Sequence, residues 1–83
     1  MTQAVLDQVR TLAADLFSMP PEAITPEASP ETIEQWDSMQ HLNLILELEM
    51  TFGMKFTTRE QAEMLSIGAV VTTIEKKLSR ASA

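Results

Sequence analysis

All four prolines of this 83-residue chain stand between positions 20 and 30. Proline lacks a backbone N–H and its ring clashes with the preceding helical turn, so no helix can run through this segment. The stretches on both sides carry apolar residues at the i, i+3, i+4 spacing of helices. The pattern therefore predicts helices separated by a long, ordered loop over about residues 19–36.

Helical spacing predicts one element on each side of this loop. The first helix is expected from about Thr2 to about Ser18. The second is expected to begin at the N-cap Asp37, with Gln40 completing a capping box in which each side chain satisfies a backbone N–H at the other's position. It should end before Gly53, since glycine readily takes the left-handed conformation that follows many helices.

The second predicted helix is apolar around most of its circumference. Its large apolar residues are Met39, Leu42, Leu44, Ile45, Leu46, Leu48 and Phe52. Its narrow polar face consists of Gln40, Asn43, Glu47 and Thr51. A helix this apolar must contact more than one neighbour. We therefore expect it to be the central element, with only the polar face open to water or to a partner.

The C-terminal part of the chain predicts a short helix and a longer one. Thr57 and Thr58 each offer a capping box for the short helix, and Ser66 can cap the longer one. The apolar residues of the longer helix are Ile67, Val70, Val71, Ile74 and Leu78. Its basic residues Lys76, Lys77 and Arg80 lie near the negative end of the helix dipole, which favours cations.

The loop should have some structure of its own. Thr25-Pro26-Glu27 and Ser29-Pro30-Glu31 can each begin a short helical turn, and Ile24 and Ile33 can anchor the loop to the core. Together these elements predict an all-α fold, a small four-helix bundle with three longer helices and one short one, and no strands.

Composition narrows the function. The net charge is −6, and no lysine or arginine occurs between Thr11 and Met54. Such a field repels nucleic acid and anionic membranes and attracts basic proteins. The absence of cysteine excludes disulfides and a cysteine nucleophile. The sequence shows no apolar run typical of a signal peptide or a membrane span, so we expect a soluble, cytoplasmic protein. We also expect a monomer.

The segment "WDSMQHL" places an acid, a hydroxyl and the single imidazole close together. A hydrolase with Ser38 as nucleophile and His41 as base is disfavoured, because no glycine lies nearby to shape an oxyanion hole. In a second interpretation Asp37 caps the helix, Ser38 is an ordinary first helical residue and His41 is a half-buried packing group beside Ile45. In a third, Ser38 carries a phosphate ester at the positive end of the helix.

The segment "WDSMQHLNLILELEMTFGMKF" resembles the Asp-Ser-Leu segment and second helix of the acyl carrier protein family. "AITPEAS" resembles the family's first loop, and "TTREQAEMLSIGAVVTTI" resembles its third and fourth helices. The resemblance covers about residues 2–79, so we expect residues 1–83 to form a single stand-alone carrier domain.

The resemblance implies a carrier rather than an enzyme. Ser38 would hold a covalent 4′-phosphopantetheine arm, which a phosphopantetheinyl transferase attaches from coenzyme A, and Asp37 and Met39 would flank that site. Acyl groups would be carried as thioesters on the arm, with acyl-activating, acyl-transfer and condensing enzymes as partners. The implied partner face consists of Gln40, Asn43, Glu47 and Met50.

Several positions depart from the family pattern. Met39 replaces the usual leucine or isoleucine, and Asn43 and Met50 stand where acids are common. This reduced charge argues against a role with the housekeeping fatty acid synthase and makes a specialised pathway a serious alternative. The implied pathway is thus fatty acid, polyketide or a related specialised biosynthesis. An aminoacyl or peptidyl carrier and a non-enzymatic acidic binding module also remain open.

The family's bundle interior can shelter an acyl chain. The candidates to line such a space are Met39, Leu42, Leu46, Met64 and Ile67, although for each of them ordinary core packing is the favoured interpretation.

The uneven charge predicts a salt-dependent stability. Self-repulsion across residues 11–54 should be screened when ionic strength rises from about 0.01 M to about 0.15 M. We therefore expect a higher melting temperature at the higher ionic strength, measured by circular dichroism. Equal melting temperatures would contradict this expectation.

Overall fold

The computed structural model describes residues 3–82, with side chains over residues 3–79. Within that range it has four α-helices and no strand. The helices are α1 (Gln3–Phe17), α2 (Ser38–Phe52), α3 (Thr58–Glu63) and α4 (Ile67–Ser82), and a 3₁₀ helix covers Pro21–Ala23. The predicted all-α bundle with one short helix is confirmed. The longest of these helices has 16 residues, and none has the combined length and hydropathy of a membrane span.

The first helix ends one residue earlier than predicted. Ser18 has a φ of 56°, which places it in the left-handed region and outside α1. The N–H of Met19 then donates to the carbonyl of Ala14 at 2.9 Å, so the helix is closed before Pro20 is reached. The predicted start at Thr2 lies outside the described residues.

The central helix is α1, so the prediction that α2 is central was wrong. Helix α1 packs against both α2 and α4 and against the 3₁₀ helix. Helix α2 fully buries only Leu44, Ile45 and Leu48. Because α3 has only six residues, it is too short to cover the rest of α2. The apolar side chains that remain exposed on α2 are Met39, Leu42, Leu46 and Met50.

The capping box predicted at the start of α2 is only half formed. Asp37 is the N-cap, and its carboxylate accepts a hydrogen bond of 2.9 Å from the backbone N–H of Gln40. The side-chain oxygen of Gln40 accepts from the amide of Asn43, at 2.9 Å, instead of from the N–H of Asp37. The amide nitrogen of Gln40 donates to the carbonyl of Leu16, at 3.2 Å. A free carbonyl at the end of α1 offers an acceptor that local sequence does not reveal. The N-cap thus holds α2, while Gln40 joins α2 to α1.

The other predicted helix boundaries are confirmed. Gly53 follows α2 with a φ of 62°, in the left-handed region. Thr57 and Glu60 form a reciprocal capping box at the start of α3. The hydroxyl of Ser66 accepts from the N–H of Ala69 at 3.0 Å and so caps α4.

The loop before α2 is anchored by buried side chains. Ile24 and Ile33 are buried as predicted, and so are Ala28 and Trp36. The tryptophan is 1% exposed, which makes it one of the largest buried side chains of the molecule. Burying these groups removes apolar surface from water and offsets the entropy lost when a long segment is ordered.

Backbone carbonyls of the loop also bind the start of α4. The N–H of Ile67 donates to Ala28 at 3.0 Å, and that of Gly68 donates to Pro26 at 2.8 Å. These N–H groups have no acceptor within the helix, so the loop supplies one. The predicted turn after Thr25 is formed, and it presents these carbonyls to α4.

Glu60 and Lys77 form a charged contact between α3 and α4. The ammonium of Lys77 lies 3.0 and 3.2 Å from the two carboxylate oxygens and 5.6 Å from the ring centre of Phe56. The backbone N–H of Thr57 and then Lys77 lower the pKa of Glu60 below its ordinary value of 4.5. Lys77 therefore binds a neighbouring helix rather than the end of its own. Arg80 lies among the residues whose side chains are not described.

The lowered pKa of Glu60 predicts a pH-dependent stability. Its contribution is present above pH 4.5 and is lost as the pH falls through the lower pKa of the folded state. Glu60→Gln keeps an oxygen for Thr57 but removes the charge that faces Lys77. We expect its free energy of unfolding at pH 7 to fall by about 1 kcal/mol.

The difference between the variant and the wild type should shrink as the pH approaches 3, measured by urea unfolding. Glu63→Gln on the exposed side of the same helix is the matched control. If both variants showed the same pH dependence, the contact with Lys77 would not be its source.

Candidate functional site

Ser38 is the first residue of α2 and is exposed to solvent. The preceding Asp37 faces the helix, because its carboxylate accepts from the N–H of Gln40. The N–H groups of a first helical turn lack acceptors within the helix, and the helix dipole places partial positive charge there. The hydroxyl of Ser38 therefore stands in the open, at a position that favours an attached anionic group.

An open groove of about 590 Å³ begins beside Ser38. Its walls come from the loop before α2, from α2 itself and from the segment that follows α3. The lining residues are Pro30, Trp36, Asp37, Ser38, His41, Leu42 and Leu65. Leu42 and Leu65 are each more than half exposed, so the groove presents apolar surface to the solvent. The groove therefore offers apolar surface directly beside the hydroxyl of Ser38.

Trp36 forms the floor of this corner. Its ring centre lies 5.5 Å from that of Phe17 at an angle of 31°, and 6.0 Å from that of His41 at an angle of 26°. The indole is thus packed between α1 and α2. The sequence analysis assigned no role to Trp36. Its position two residues before the serine was the signal that could have indicated one.

His41 is half-buried, as predicted, but it does more than pack. Its Nδ1 lies 3.0 Å from the indole nitrogen of Trp36, and its Nε2 lies 3.1 Å from the carbonyl oxygen of Gln61. An indole N–H can only donate and a carbonyl can only accept. The imidazole is therefore neutral, with its proton on Nε2.

This tautomer leaves no imidazole nitrogen for Ser38. Nδ1 accepts from Trp36, and Nε2 donates to Gln61. A general base must be within hydrogen-bond reach of the proton that it abstracts. The arrangement of the two side chains in the hydrolase hypothesis is therefore not formed.

The five residues proposed to shelter an acyl chain do not line one space. Met64 and Ile67 are fully buried, as ordinary core packing requires. Met39 is 72% exposed, and Leu42 and Leu46 are each 57% exposed, so neither a sheltering nor a core role holds for these three. Sequence pattern alone could not separate the two groups, because all five are large and apolar.

The predicted partner face is partly engaged within the molecule. Gln40 is half-buried and binds Leu16, and Asn43 donates to the side-chain oxygen of Gln40 at 2.9 Å. Glu47 and Met50 are exposed. Gln40 therefore fixes α2 to α1, while the other three positions remain open to solvent.

A neighbouring feature was missed at the sequence level. The exposed side chains Met39, Leu42, Leu46 and Met50 recur at spacings of three and four residues, so they form one stripe along α2. We call this set the α2 stripe. It begins next to Ser38 and runs beside Asn43 and Glu47. The continuous hydrophobicity of the helix was the signal, but it was interpreted as core.

No protein-family model matches the chain. The acyl carrier protein of Thermosynechococcus vestitus is 31% identical over 75 residues, which are 90% of this chain and 93% of that protein. The acyl carrier protein of Campylobacter curvus is 33% identical over 73 residues, which are 88% and 95% of the two chains.

A solved structure agrees with these relatives. The solution structure of the holo acyl carrier protein from Geobacter metallireducens superposes with a TM-score of 0.82 at 31% identity, and the match covers 93% of this chain and 88% of that one. Sequence and fold are thus similar over almost the whole length. The chain belongs to the acyl carrier protein family.

Proposed function

We propose that this protein carries acyl groups as thioesters on a 4′-phosphopantetheine arm attached to Ser38. The observation that carries the proposal is the exposed hydroxyl at the first position of α2, beside an apolar groove. Membership of the acyl carrier protein family supports the same role. The chain itself catalyses no step, and its part is to present the cargo to other enzymes.

The residues around Ser38 fit such a group. The free N–H groups of the first turn of α2 favour a phosphate at this position. The apolar groove can accept the start of a flexible arm. When bound, the arm supplies the terminal thiol that a chain without cysteine cannot provide.

Attachment requires a phosphopantetheinyl transferase. The oxygen of Ser38 forms a bond to the phosphorus of the pantetheine phosphate of coenzyme A, loses its proton to the transferase, and displaces the adenosine bisphosphate. Asp37 holds the first turn through Gln40 and so keeps the hydroxyl in place for the transferase. Met39, which is 72% exposed beside it, contacts the incoming enzyme.

The surface that meets partner enzymes combines the α2 stripe with the adjacent polar residues Asn43 and Glu47. Apolar residues that are exposed in a continuous patch mark protein contacts, and the acidic surroundings suit a partner with a basic rim. The same surface would serve acyl-activating, acyl-transfer and condensing enzymes in turn.

The pathway is fatty acid, polyketide or a related specialised biosynthesis in the cytoplasm, with the carrier acting as a monomer. Asn43 and Met50 favour the specialised alternative, since both are exposed positions where family members commonly carry acids. Loading assays with acyl-activating and aminoacyl-activating enzymes separate this assignment from an aminoacyl carrier.

The attachment site is tested by intact-mass analysis. Incubation with coenzyme A and a phosphopantetheinyl transferase should add one phosphopantetheinyl group to the wild type and none to Ser38→Ala. Ser79→Ala, an exposed serine on α4, should be modified like the wild type. A wild type that stayed unmodified with several transferases, or a modified Ser38→Ala, would sink the proposal.

The partner surface is tested by truncating one side chain of the α2 stripe. Leu46→Ala removes exposed apolar area without opening a core cavity, so the fold should persist. We expect the transferase's kcat/KM to fall by about tenfold, the effect of losing about 1.4 kcal/mol at an interface. Thr72→Ala on α4 is the control. Equal losses in both variants would show that the stripe is not the contact.

A further inference from the structure

We propose that His41 is a positioning residue of the modification site. Its neutral imidazole clamps the loop before Ser38 and helix α3 to α2, and thereby fixes the groove that a phosphopantetheinyl transferase meets. This inference rests on the proposed attachment to Ser38. It assigns to His41 a role in the recognition of that site.

His41 lies on the α2 wall of the groove and is hydrogen-bonded to the loop wall and to the helix that precedes the third wall. It lies three residues after Ser38, which places the two on neighbouring positions of α2. Its Nδ1 holds Trp36, which ends the loop, and its Nε2 holds Gln61 of α3. Gln61 in turn lies four residues before Leu65, which forms the wall beyond α3. One side chain therefore links three segments that the sequence separates.

The link to Trp36 gives the indole N–H its hydrogen-bond acceptor. The tryptophan is 1% exposed, and its N–H donates to His41 at the edge of the core. A buried donor without an acceptor is unfavourable, so loss of the imidazole forces the indole to move or the corner to open. Because Trp36 lies two residues before Ser38, such a movement displaces the start of α2.

The link to Gln61 holds a short helix. Helix α3 has six residues and packs against α4. Its own capping box and the contact between Glu60 and Lys77 secure its start and its outer side. The bond of 3.1 Å from His41 joins α3 directly to α2. Loss of this bond frees the wall that carries Leu65.

Substitutions at His41 can test its hydrogen bonds to Trp36 and to Gln61 separately. An asparagine amide oxygen can occupy the place of Nδ1 and accept from Trp36, whereas a glutamine amide nitrogen can occupy the place of Nε2 and donate to Gln61. His41→Asn should therefore keep the first link, His41→Gln the second, and His41→Ala neither. If His41 positions the site, the KM should recover in part when one of the two links is kept. Loss of packing alone predicts no such partial recovery.

The experiment measures the steady-state kinetics of modification of the full chain with coenzyme A and a broad-specificity phosphopantetheinyl transferase. The temperature is chosen so that all variants are folded by circular dichroism. His41→Ala should raise the KM for the carrier by about tenfold with kcat little changed. His41→Asn and His41→Gln should each give an intermediate KM.

The matched control is Val71→Ala or Ile74→Val in α4, whichever equals His41→Ala in its free energy of unfolding. Both residues are fully buried and neither lines the groove. The control should keep the wild-type KM. If the control and His41→Ala had the same KM, His41 would stabilise the fold without positioning the site, and the inference would be wrong.

A spectroscopic readout does not depend on modification. The chain has a single tryptophan, so one indole N–H signal reports the link in ¹⁵N-labelled protein. The signal should stay in its wild-type position in His41→Asn and should move in His41→Ala and His41→Gln. A signal unmoved in His41→Ala would overturn the inference. If the wild type stayed unmodified, the proposed function itself would be wrong. If the wild type were modified and His41→Ala had the same KM, only the role of His41 would be wrong.

Discussion

The burial of Trp36 is the constraint on which the corner around Ser38 depends. A large indole that ends a long loop is packed between Phe17 and His41 and is almost completely removed from water. Its apolar area holds the loop against α1, and its N–H dictates which nitrogen of His41 carries the proton. Because α2 begins two residues later, the same contact fixes where the helix starts and where the serine is presented.

The loop is therefore a structural element of the bundle and not only a connection. Its side chains enter the core, and its carbonyls bind the first N–H groups of α4. Ser38 consequently lies on a rigid support even though its own side chain is open to solvent. The proposed modification of Ser38 by another enzyme requires both rigid support and free access.

Helices α1 and α2 have different roles in this small fold. Helix α1 packs against both α2 and α4 and supplies the centre of the core. Helix α2 buries three apolar side chains and leaves the α2 stripe open. In a domain with so little interior, an apolar helix that is only half covered leaves apolar surface exposed to water, and this is the surface we propose for partner enzymes.

The sequence by itself determined the all-α class, the helix boundaries at Asp37, Gly53 and Ser66, and the serine that heads α2. Proline placement, capping residues and helical period act over a few residues, so they can be interpreted locally. The tertiary structure alone decided that α1 is central, that Gln40 binds α1, that the α2 stripe is exposed, and that His41 joins Trp36 to Gln61. These four features depend on contacts between surfaces, and between hydrogen-bond donors and acceptors, that are far apart in the chain. The hydrophobicity of one helix does not show which of its sides another helix will cover.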